Sequence, residues 1–342
     1  LGKLEEMLES GAAEGGLRVR LLSRRGMFLL FLSEFTEAES SLRKALEIAG
    51  EMEDQELRAE CLQLLGSGHY MQGIYDEALS EMEGALAIRR ELGDGQRAGA
   101  LESNIGLIRL DRGELEAAEV QFKDSLKTFR RIGMRSAEAG NLVNLGLVYT
   151  EMGHLERALD FISEALQIRQ ELANRQGIGT DLGNLGAVWM RIGKYERAVP
   201  LLKQAIEIAS EVENMPSLAI NESRLAAINT RRGETEAAEE CLGRAREAAA
   251  EGGGSRQRLE ICLAAQMAGH AQQSVGLEPV VVGGEIIDRR IDQKYARLHG
   301  FKYISPGVSW QGGRRYPQIA LKTVSLYYIG LYKFGNNDSV KT

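Results

Sequence analysis

Four histidines and three cysteines are the side chains of this 342-residue chain best suited to catalysis or metal binding. They are His69, His154, His270, His299, Cys61, Cys241 and Cys262. They lie far apart, and none has the short His/Cys spacing of a metal site. The spacing also yields no Ser/His/Asp or Cys/His arrangement for nucleophilic catalysis. The sequence therefore predicts a protein that is not an enzyme and has no metal site and no cofactor.

A second set of polar residues recurs at a fixed spacing that suits recognition. Asn104, Asn144 and Asn184 lie 40 residues apart, although asparagine is a modest helix former. Two interpretations stay open: a structural ladder of amides between helices, or a row of amides that clamps a peptide backbone. A charged row lies seven residues further along each unit and comprises Asp111, Glu151, Arg191 and Arg231. It predicts either a solvated helix face or a groove that changes from acidic to basic.

The elements that must position these residues are marked by small residues at the same 40-residue period. One series is Gly73, Gly113, Gly153, Gly193 and Gly233. A second precedes it by seven residues and comprises Gly66, Gly106, Gly146 and Gly186. A third follows the first by five residues and comprises Ala78, Ala118, Ala158, Ala198 and Ala238. With Ser33 and Ala38 one period earlier, the series predict six stacked helical hairpins.

Each series has a physical role in such a hairpin. The Gly73 series follows an apolar-periodic segment, where a helix can end in the left-handed conformation that glycine adopts easily. The Gly66 series lies inside the first helix of each pair, where glycine costs about 0.5–1 kcal/mol. A cost that recurs in successive units predicts close approach of two helices at these glycines, with the alanines on the opposite helix.

At these residues the chain resembles the tetratricopeptide repeat. The small residues of the family pattern correspond to Gly146, Ala158 and Ala165. The 40-residue period and the phrase Asn144-Leu-Gly146 are similar to the repeats of kinesin light chains and of Leu-Gly-Asn-type G-protein modulators. The resemblance implies an all-α, right-handed superhelical solenoid of antiparallel helix pairs. It also implies that the first helix of each pair, the A helix, lines a concave groove.

One position departs from the G-protein modulators. Their recurrent arginine, shortly before the asparagine, is replaced here by Ala100, Gly140 and Thr180, so their mode of peptide binding is not carried over. The resemblance implies a non-enzymatic scaffold that binds a protein or peptide segment in the concave groove. Two alternatives stay open: the sensor arm of a larger signalling or transcriptional regulator, and a cofactor-binding or enzymatic module centred on the C-terminal tail.

Composition divides the chain near residue 276. Residues 276–342 carry 10 Lys/Arg and 5 Asp/Glu, whereas residues 1–275 carry 32 and 44. The sequence predicts a leader over 1–16, six repeats over 17–254, a capping helix over 255–275 and a separate tail. The acidic repeats oppose nucleic-acid binding. No run of 18 apolar residues indicates a membrane span, and the dispersed cysteines favour a reducing cytoplasm.

The tail has a pattern of its own. Pro279-Val-Val-Val-Gly-Gly-Glu285, a helix-like stretch to Ala296 and Gly300-Phe-Lys-Tyr-Ile304 suggest a β–α–β fragment. The fragment is vaguely similar to the last part of cobalamin-binding Rossmann-like domains, but it lacks the Asp-x-His-x-x-Gly segment that ligates the corrinoid. The tail is therefore predicted to be either a truncated α/β module or a disordered extension.

Overall fold

The computed structural model describes residues 14–252, together with Gly2, Leu4 and Leu8 ahead of them. Twelve α-helices are bounded within residues 14–252: α1 Gly15–Phe31, α2 Phe35–Glu51, α3 Gln55–Gln72, α4 Tyr75–Glu91, α5 Gly95–Arg112, α6 Leu115–Ile132, α7 Arg135–Glu151, α8 Leu155–Glu171, α9 Arg175–Ile192, α10 Tyr195–Glu211, α11 Met215–Arg232 and α12 Thr235–Gly252. None of these helices combines the length and the apolar character that a membrane crossing needs. The predicted capping helix and tail lie outside the described residues.

Consecutive helices form helical hairpins, so the all-α repeat fold predicted from the sequence is confirmed over the described residues. Odd-numbered helices are the A helices, and even-numbered helices are the B helices. An A helix packs both against its own B helix and against the B helix before it, as α5 does against α6 and α4. A single hairpin cannot bury its apolar face alone, and this stacking supplies the missing cover.

Left-handed residues end the helices at both kinds of turn. Within the hairpins, φ lies between 76° and 83° at Gly73, Gly113, Gly153, Gly193 and Gly233. A second row of left-handed residues, not predicted from the sequence, separates one hairpin from the next and comprises Glu53, Gly93, Gly133, Ala173 and Glu213. Three members of this second row carry a side chain, where the left-handed conformation costs roughly 1–2 kcal/mol per residue. Glycine is therefore enriched at these turns but not required at each one.

Four A helices begin at a short polar residue that caps them. Asp54, Asp94, Asn174 and Asn214 each accept a hydrogen bond from the backbone N–H three residues on, at 2.8–3.1 Å. These bonds satisfy N–H groups that have no partner inside the helix, and each contributes about 1 kcal/mol. The caps recur on the 40-residue period and therefore fix the start of the A helix in successive units.

Glycines inside the A helices let bulky side chains of the B helices reach the A-helix backbone. A Cβ atom at Gly106 would lie 2.8–3.0 Å from three ring atoms of Phe122. A Cβ at Gly186 would lie 2.8 Å from two atoms of Leu202. Both of these large side chains are fully buried. Since carbon atoms normally approach only to about 3.5–4.0 Å, even a methyl group would not fit without movement.

The described residues form two compact units that divide within α7, one ending at Val148 and the other beginning at Tyr149. In the first unit, the α4 and α5 core includes Met82 and Ile105. In the second unit, an apolar cluster of α8 and α9 includes Ile162, Leu185 and Val188. Each unit therefore has apolar cores of its own.

The contact between Gly106 and Phe122 predicts the effect of one added methyl group. Gly106→Ala is expected to lower the free energy of unfolding by about 1–3 kcal/mol, because the methyl overlaps a rigid ring. Gly84→Ala on α4 is the matched control, since its Cβ would meet only Leu62 at 3.6 Å. The control is expected to raise the unfolding free energy by about 0.5–1 kcal/mol. Urea unfolding of the full chain, followed by circular dichroism, measures both. Equal stabilisation by the two substitutions would show that close packing does not select glycine at position 106.

Candidate functional site

The three repeated asparagines lie on the A helices α5, α7 and α9 in different surroundings. Asn144 is 1% exposed, and its Nδ2 donates to the Ser103 hydroxyl on α5 at 3.4 Å. Its buried Oδ1 has no hydrogen-bond partner among the described residues. Asn104 and Asn184 are half-buried, and within the described part of the chain neither side-chain amide makes a hydrogen bond. Asn144 therefore links two A helices, whereas the other two amides are accessible to a ligand.

Two members of the charged row are engaged by tyrosines of the preceding hairpin. Asp111 accepts a hydrogen bond from the Tyr70 hydroxyl at 2.6 Å. Arg231 donates to the Tyr195 hydroxyl at 2.6 Å, and its guanidinium lies 5.9 Å from the centre of that ring. These charges therefore tie successive hairpins together, and a ligand would have to share them with the fold.

The other two members of the charged row pair with each other. Arg191 of α9 donates to Glu151 of α7 at 3.0 Å, and both side chains are about four-fifths buried. The predicted sign change therefore coincides with an ion pair that cancels much of the field of both groups. The charge pattern is visible in the sequence, but this pairing requires knowledge of which helices face each other.

The aromatic residues on these A helices pack inside the fold. Tyr149 is 3% exposed and stacks on Phe161, with ring centres 5.2 Å apart. Trp189 is covered by the Arg197 guanidinium, 4.6 Å from the ring centre. Cation–π contacts of this kind contribute about 0.5–1 kcal/mol at accessible sites. These two side chains therefore stabilise hairpins.

A buried ionic pair three residues before Asn184 was not predicted. Asp181 of α9 is fully buried, and the Arg169 Nε of α8 lies 2.8 Å from one carboxylate oxygen. The contact is close but poorly aligned, so neither carboxylate oxygen has a well-formed hydrogen bond within the described residues. A Cβ at Gly177 would overlap the Arg169 side chain. Burial raises the pKa of the Asp181 carboxyl to about 7, and the positive charge of Arg169 opposes this rise.

The 40-residue period contains a signal for this pair. Position 181 is equivalent to Asn141 and Asn221, whereas Cys61 and Leu101 occupy it in earlier units. A short polar residue therefore replaces an apolar one at a buried helix position. That change marks an unusual site, although the period alone does not name Arg169 as the partner.

The raised pKa of Asp181 predicts a pH dependence of stability. The folded protein keeps a proton that the unfolded chain loses above 3.8, so stability falls as pH rises from 3.8 towards 7. Over this interval, wild type is expected to lose up to about 4 kcal/mol of unfolding free energy relative to Asp181→Asn. Denaturant titrations at several pH values measure the difference. Asp160→Asn, at an exposed position of α8, is the control and should follow wild type. Parallel profiles for wild type and Asp181→Asn would contradict the assignment.

The residue types with catalytic potential are dispersed in the structure. His69 is buried, with Nδ1 at 2.7 Å from Glu81 and Nε2 at 3.7 Å from Glu39. Cys61 and Cys241 are buried free thiols, and burial raises the pKa of both. Within residues 14–252, no group of His, Cys, Asp and Glu side chains could hold a metal ion. His154 is exposed and precedes the first residue of α8, and the other three candidates lie outside the described residues: His270, His299 and Cys262.

Comparison with known proteins identifies the repeat. Residues 17–91 and 137–211 match the family model described as tetratricopeptide repeat. These matched residues form tetratricopeptide repeats. A search of curated proteins finds no match to the chain.

Solved structures with tetratricopeptide-like folds resemble the chain over most of its length. BtubC (BKLC) from P. vanneervenii is 25% identical, with a TM-score of 0.55, and the match covers 62% of this chain and 87% of that one. A STAND protein from Pyrococcus horikoshii with a tetratricopeptide repeat sensor is 20% identical, with a TM-score of 0.61, over 71% of this chain and 37% of that one. The Rap conjugation gene regulator of plasmid pLS20, in complex with the Phr* peptide, is 20% identical, with a TM-score of 0.52, over 82% of each chain.

The tetratricopeptide assignment bounds what the protein does. Fold and repeats are those of a protein-interaction or regulatory module, a class that is typically non-enzymatic. The likeness at 20% identity concerns the fold alone, so the choice of partner has to come from the side chains of this chain.

Proposed function

We propose that this tetratricopeptide chain is a non-enzymatic scaffold that binds a protein or peptide segment on its A-helix face. The observation that carries the proposal is the pair of accessible amides, Asn104 in the first compact unit and Asn184 in the second. Neither amide is used by the described part of the fold. Each lies in the middle of a helix, although asparagine has a low helix propensity. Binding of a ligand by the amide would explain why asparagine occurs there.

The chemistry of a carboxamide matches that of a peptide group. Its NH₂ can donate to a backbone carbonyl and its oxygen can accept from a backbone N–H. Recognition of this kind depends on the backbone and leaves the choice of sequence to neighbouring side chains. Because the amide projects from a rigid helix, less conformational entropy is lost on binding than for an amide on a mobile loop.

The side chains around each amide define the chemistry of the partner. Residues three or four positions away share a helix face with it. Among these residues, Ala100 beside Asn104 and both Thr180 and Ala187 beside Asn184 are partly exposed, whereas the other five are buried. The accessible part of this neighbourhood therefore consists of small, uncharged side chains. It favours a partner segment with small or apolar side chains beside the bound peptide group.

The similarity to known structures supports a peptide-binding role for this kind of fold. The Rap conjugation gene regulator is a structure in complex with the Phr* peptide, and this chain resembles it over 82% of both lengths. The backbone arrangement is therefore compatible with a peptide ligand. The two amides and the small side chains beside them are features of this chain's own sequence that would choose the ligand.

Alanine substitution of the two amides tests the proposal. Peptides selected on the full chain from a random display library serve as fluorescent probes. Asn104→Ala and Asn184→Ala are each expected to weaken the peptides that use them by about 5–10-fold, the loss of one or two hydrogen bonds. Fluorescence anisotropy measures the affinity. Gln204→Ala, which removes an exposed amide from the B helix α10, is the matched control and should leave binding unchanged.

The test remains interpretable because alanine is the better helix former. Both variants are expected to fold, which circular dichroism and unfolding curves verify. If folded Asn104→Ala and Asn184→Ala bind every selected peptide as wild type does, the amides are not part of the binding site.

A sensor arm of a larger signalling protein is the second candidate function. The likeness to the STAND protein favours it, because that protein carries a tetratricopeptide repeat sensor and this chain covers 37% of its length. A sensor would bind the same kind of ligand but pass the signal to a fused domain. Sequencing the surrounding open reading frame separates the candidates, since a frame without a catalytic or DNA-binding domain leaves only the scaffold.

A further inference from the structure

A cavity of about 540 Å³ opens between the B helices α10 and α12, with residues of the A helix α11 among its lining. We call it the α10–α12 groove. Ile206, Leu218 and Leu225 contribute apolar surface, and Glu222 of α11 contributes a carboxylate that is almost fully buried. A volume of this size falls in the range of ligand-binding clefts, roughly 300–1,000 Å³. The groove is separate from the asparagine face, since none of the repeated asparagines lines it.

The same chain fills the equivalent groove of its first compact unit with its own arginine. Three periods earlier, between α4 and α6, the Arg90 guanidinium donates to Glu102 at 2.8 Å. The Thr128 hydroxyl donates to the other oxygen of the same carboxylate at 3.0 Å. Glu102 is buried, while much of the Arg90 side chain remains exposed. An arginine that enters from the surface therefore satisfies the carboxylate in this α4–α6 groove.

The α10–α12 groove keeps the carboxylate but lacks both donors. Glu222 stands at the position of Glu102, whereas Ser210 replaces Arg90 and Ala248 replaces the threonine. Both replacement residues line the cavity. The cavity therefore opens beside Ser210 and Ala248, while the guanidinium partner of Glu222 comes instead from Arg244 of α12, at the position equivalent to Asp124.

The charges beside the groove change in the direction that favours a cation. Lys127 and Arg131 of α6 are replaced by Glu247 and Glu251 of α12, whereas Glu83 and Asp124 are replaced by Lys203 and Arg244, so the net charge of the lining positions changes from 0 to −1. The two glutamates are exposed and line the cavity. They provide an acidic approach to the carboxylate, where the first unit has a basic one.

The groove retains a negative charge after its internal ion pair is counted. Arg244 of α12 contacts both oxygens of Glu222, at 2.5 and 3.1 Å. A carboxylate has about four lone-pair sites, so it can accept further hydrogen bonds. Three carboxylates line the cavity against two cations, Lys203 and Arg244, which leaves a net charge of −1. The electrostatic balance therefore selects a cationic group over an anionic one.

We propose that the α10–α12 groove binds an arginine side chain of a partner polypeptide. Its guanidinium bonds to Glu222, as the Arg90 guanidinium bonds to Glu102, and its methylene stem packs on Ile206 and Leu218. A planar guanidinium can donate hydrogen bonds through one of its edges alone. It therefore fits a carboxylate that already accepts hydrogen bonds from another guanidinium, that of Arg244. This site is independent of the asparagine face and can hold the same partner or a different one.

A short peptide tests the proposal on the full chain. The probe is Ac-Gly-Arg-Gly-NH₂, and the readout is the ¹³C-methyl resonance of Met215, a residue that lines the groove. Met215→Leu assigns that signal among the ten methionines. Titration is expected to shift the resonance in a saturable way. The citrulline peptide has nearly the same shape without the charge and is expected to bind about tenfold more weakly.

A substitution within the groove provides a second test of the proposal. Ser210→Arg places a guanidinium where Arg90 has one and is expected to abolish the Met215 response to the arginine peptide. Gln204→Arg is the matched control, because it adds the same charge at an exposed position of α10 that is not part of the groove lining. The control is expected to bind the peptide within about twofold of wild type.

Three outcomes would overturn the proposal. The first is an unchanged Met215 resonance in wild type up to the solubility of the arginine peptide. The second is equal affinity for the citrulline peptide, a comparison that needs no variant. The third concerns the chain's own arginines at positions 289, 290, 314 and 315. If their replacement by glutamine shifts Met215 in the absence of peptide, the groove is occupied by this chain and not by a partner.

Discussion

The contact between a glycine of the A helix and a bulky apolar residue of its B helix is the constraint on which the repeat depends. The Phe122 ring occupies the space where residue 106 would carry a Cβ, and Leu202 does the same at residue 186. The A-helix glycine weakens its own helix, and the buried side chain opposite compensates for that loss. Because the contact fixes how each hairpin closes, residues one period apart have similar positions in their hairpins.

This constraint explains which parts of the fold can be read from the sequence. Close contacts and helix ends require particular residue types. The Gly106 series and caps such as Asp94 therefore recur in the sequence at the 40-residue period. The left-handed turn between hairpins is less visible in the sequence, because glycine occupies it in only some units. Glu53 and Glu213 adopt it at a cost that the surrounding packing sustains. Residue type therefore predicts such a turn only where glycine occupies it.

The candidate site, too, can be predicted from the sequence only in part. The period correctly places the asparagines on A helices, but their exposure depends on the neighbouring helix. Asn144 is buried beside the short side chain of Ser103, whereas the amide of Asn104 stays accessible. Likewise, the signs of Glu151 and Arg191 are visible in the sequence, but their mutual contact is not. Whether a residue is available to a ligand is a property of pairs of helices, and a single-residue pattern does not contain it.

A repeat protein provides an internal comparison that a protein with a single core lacks. Since equivalent positions share a backbone environment, a difference between two units isolates the effect of side chains. A carboxylate at position 102 or 222 is costly to bury without a partner. In the first unit Arg90 and Thr128 are its partners. In the second unit Arg244 is the partner of Glu222, and the hydrogen bond to Glu222, together with its charge, raises the pKa of that guanidinium. The groove has therefore kept its buried acceptor while its arginine partner has moved from one B helix to the other, which leaves the position of Arg90 to the short side chain of Ser210.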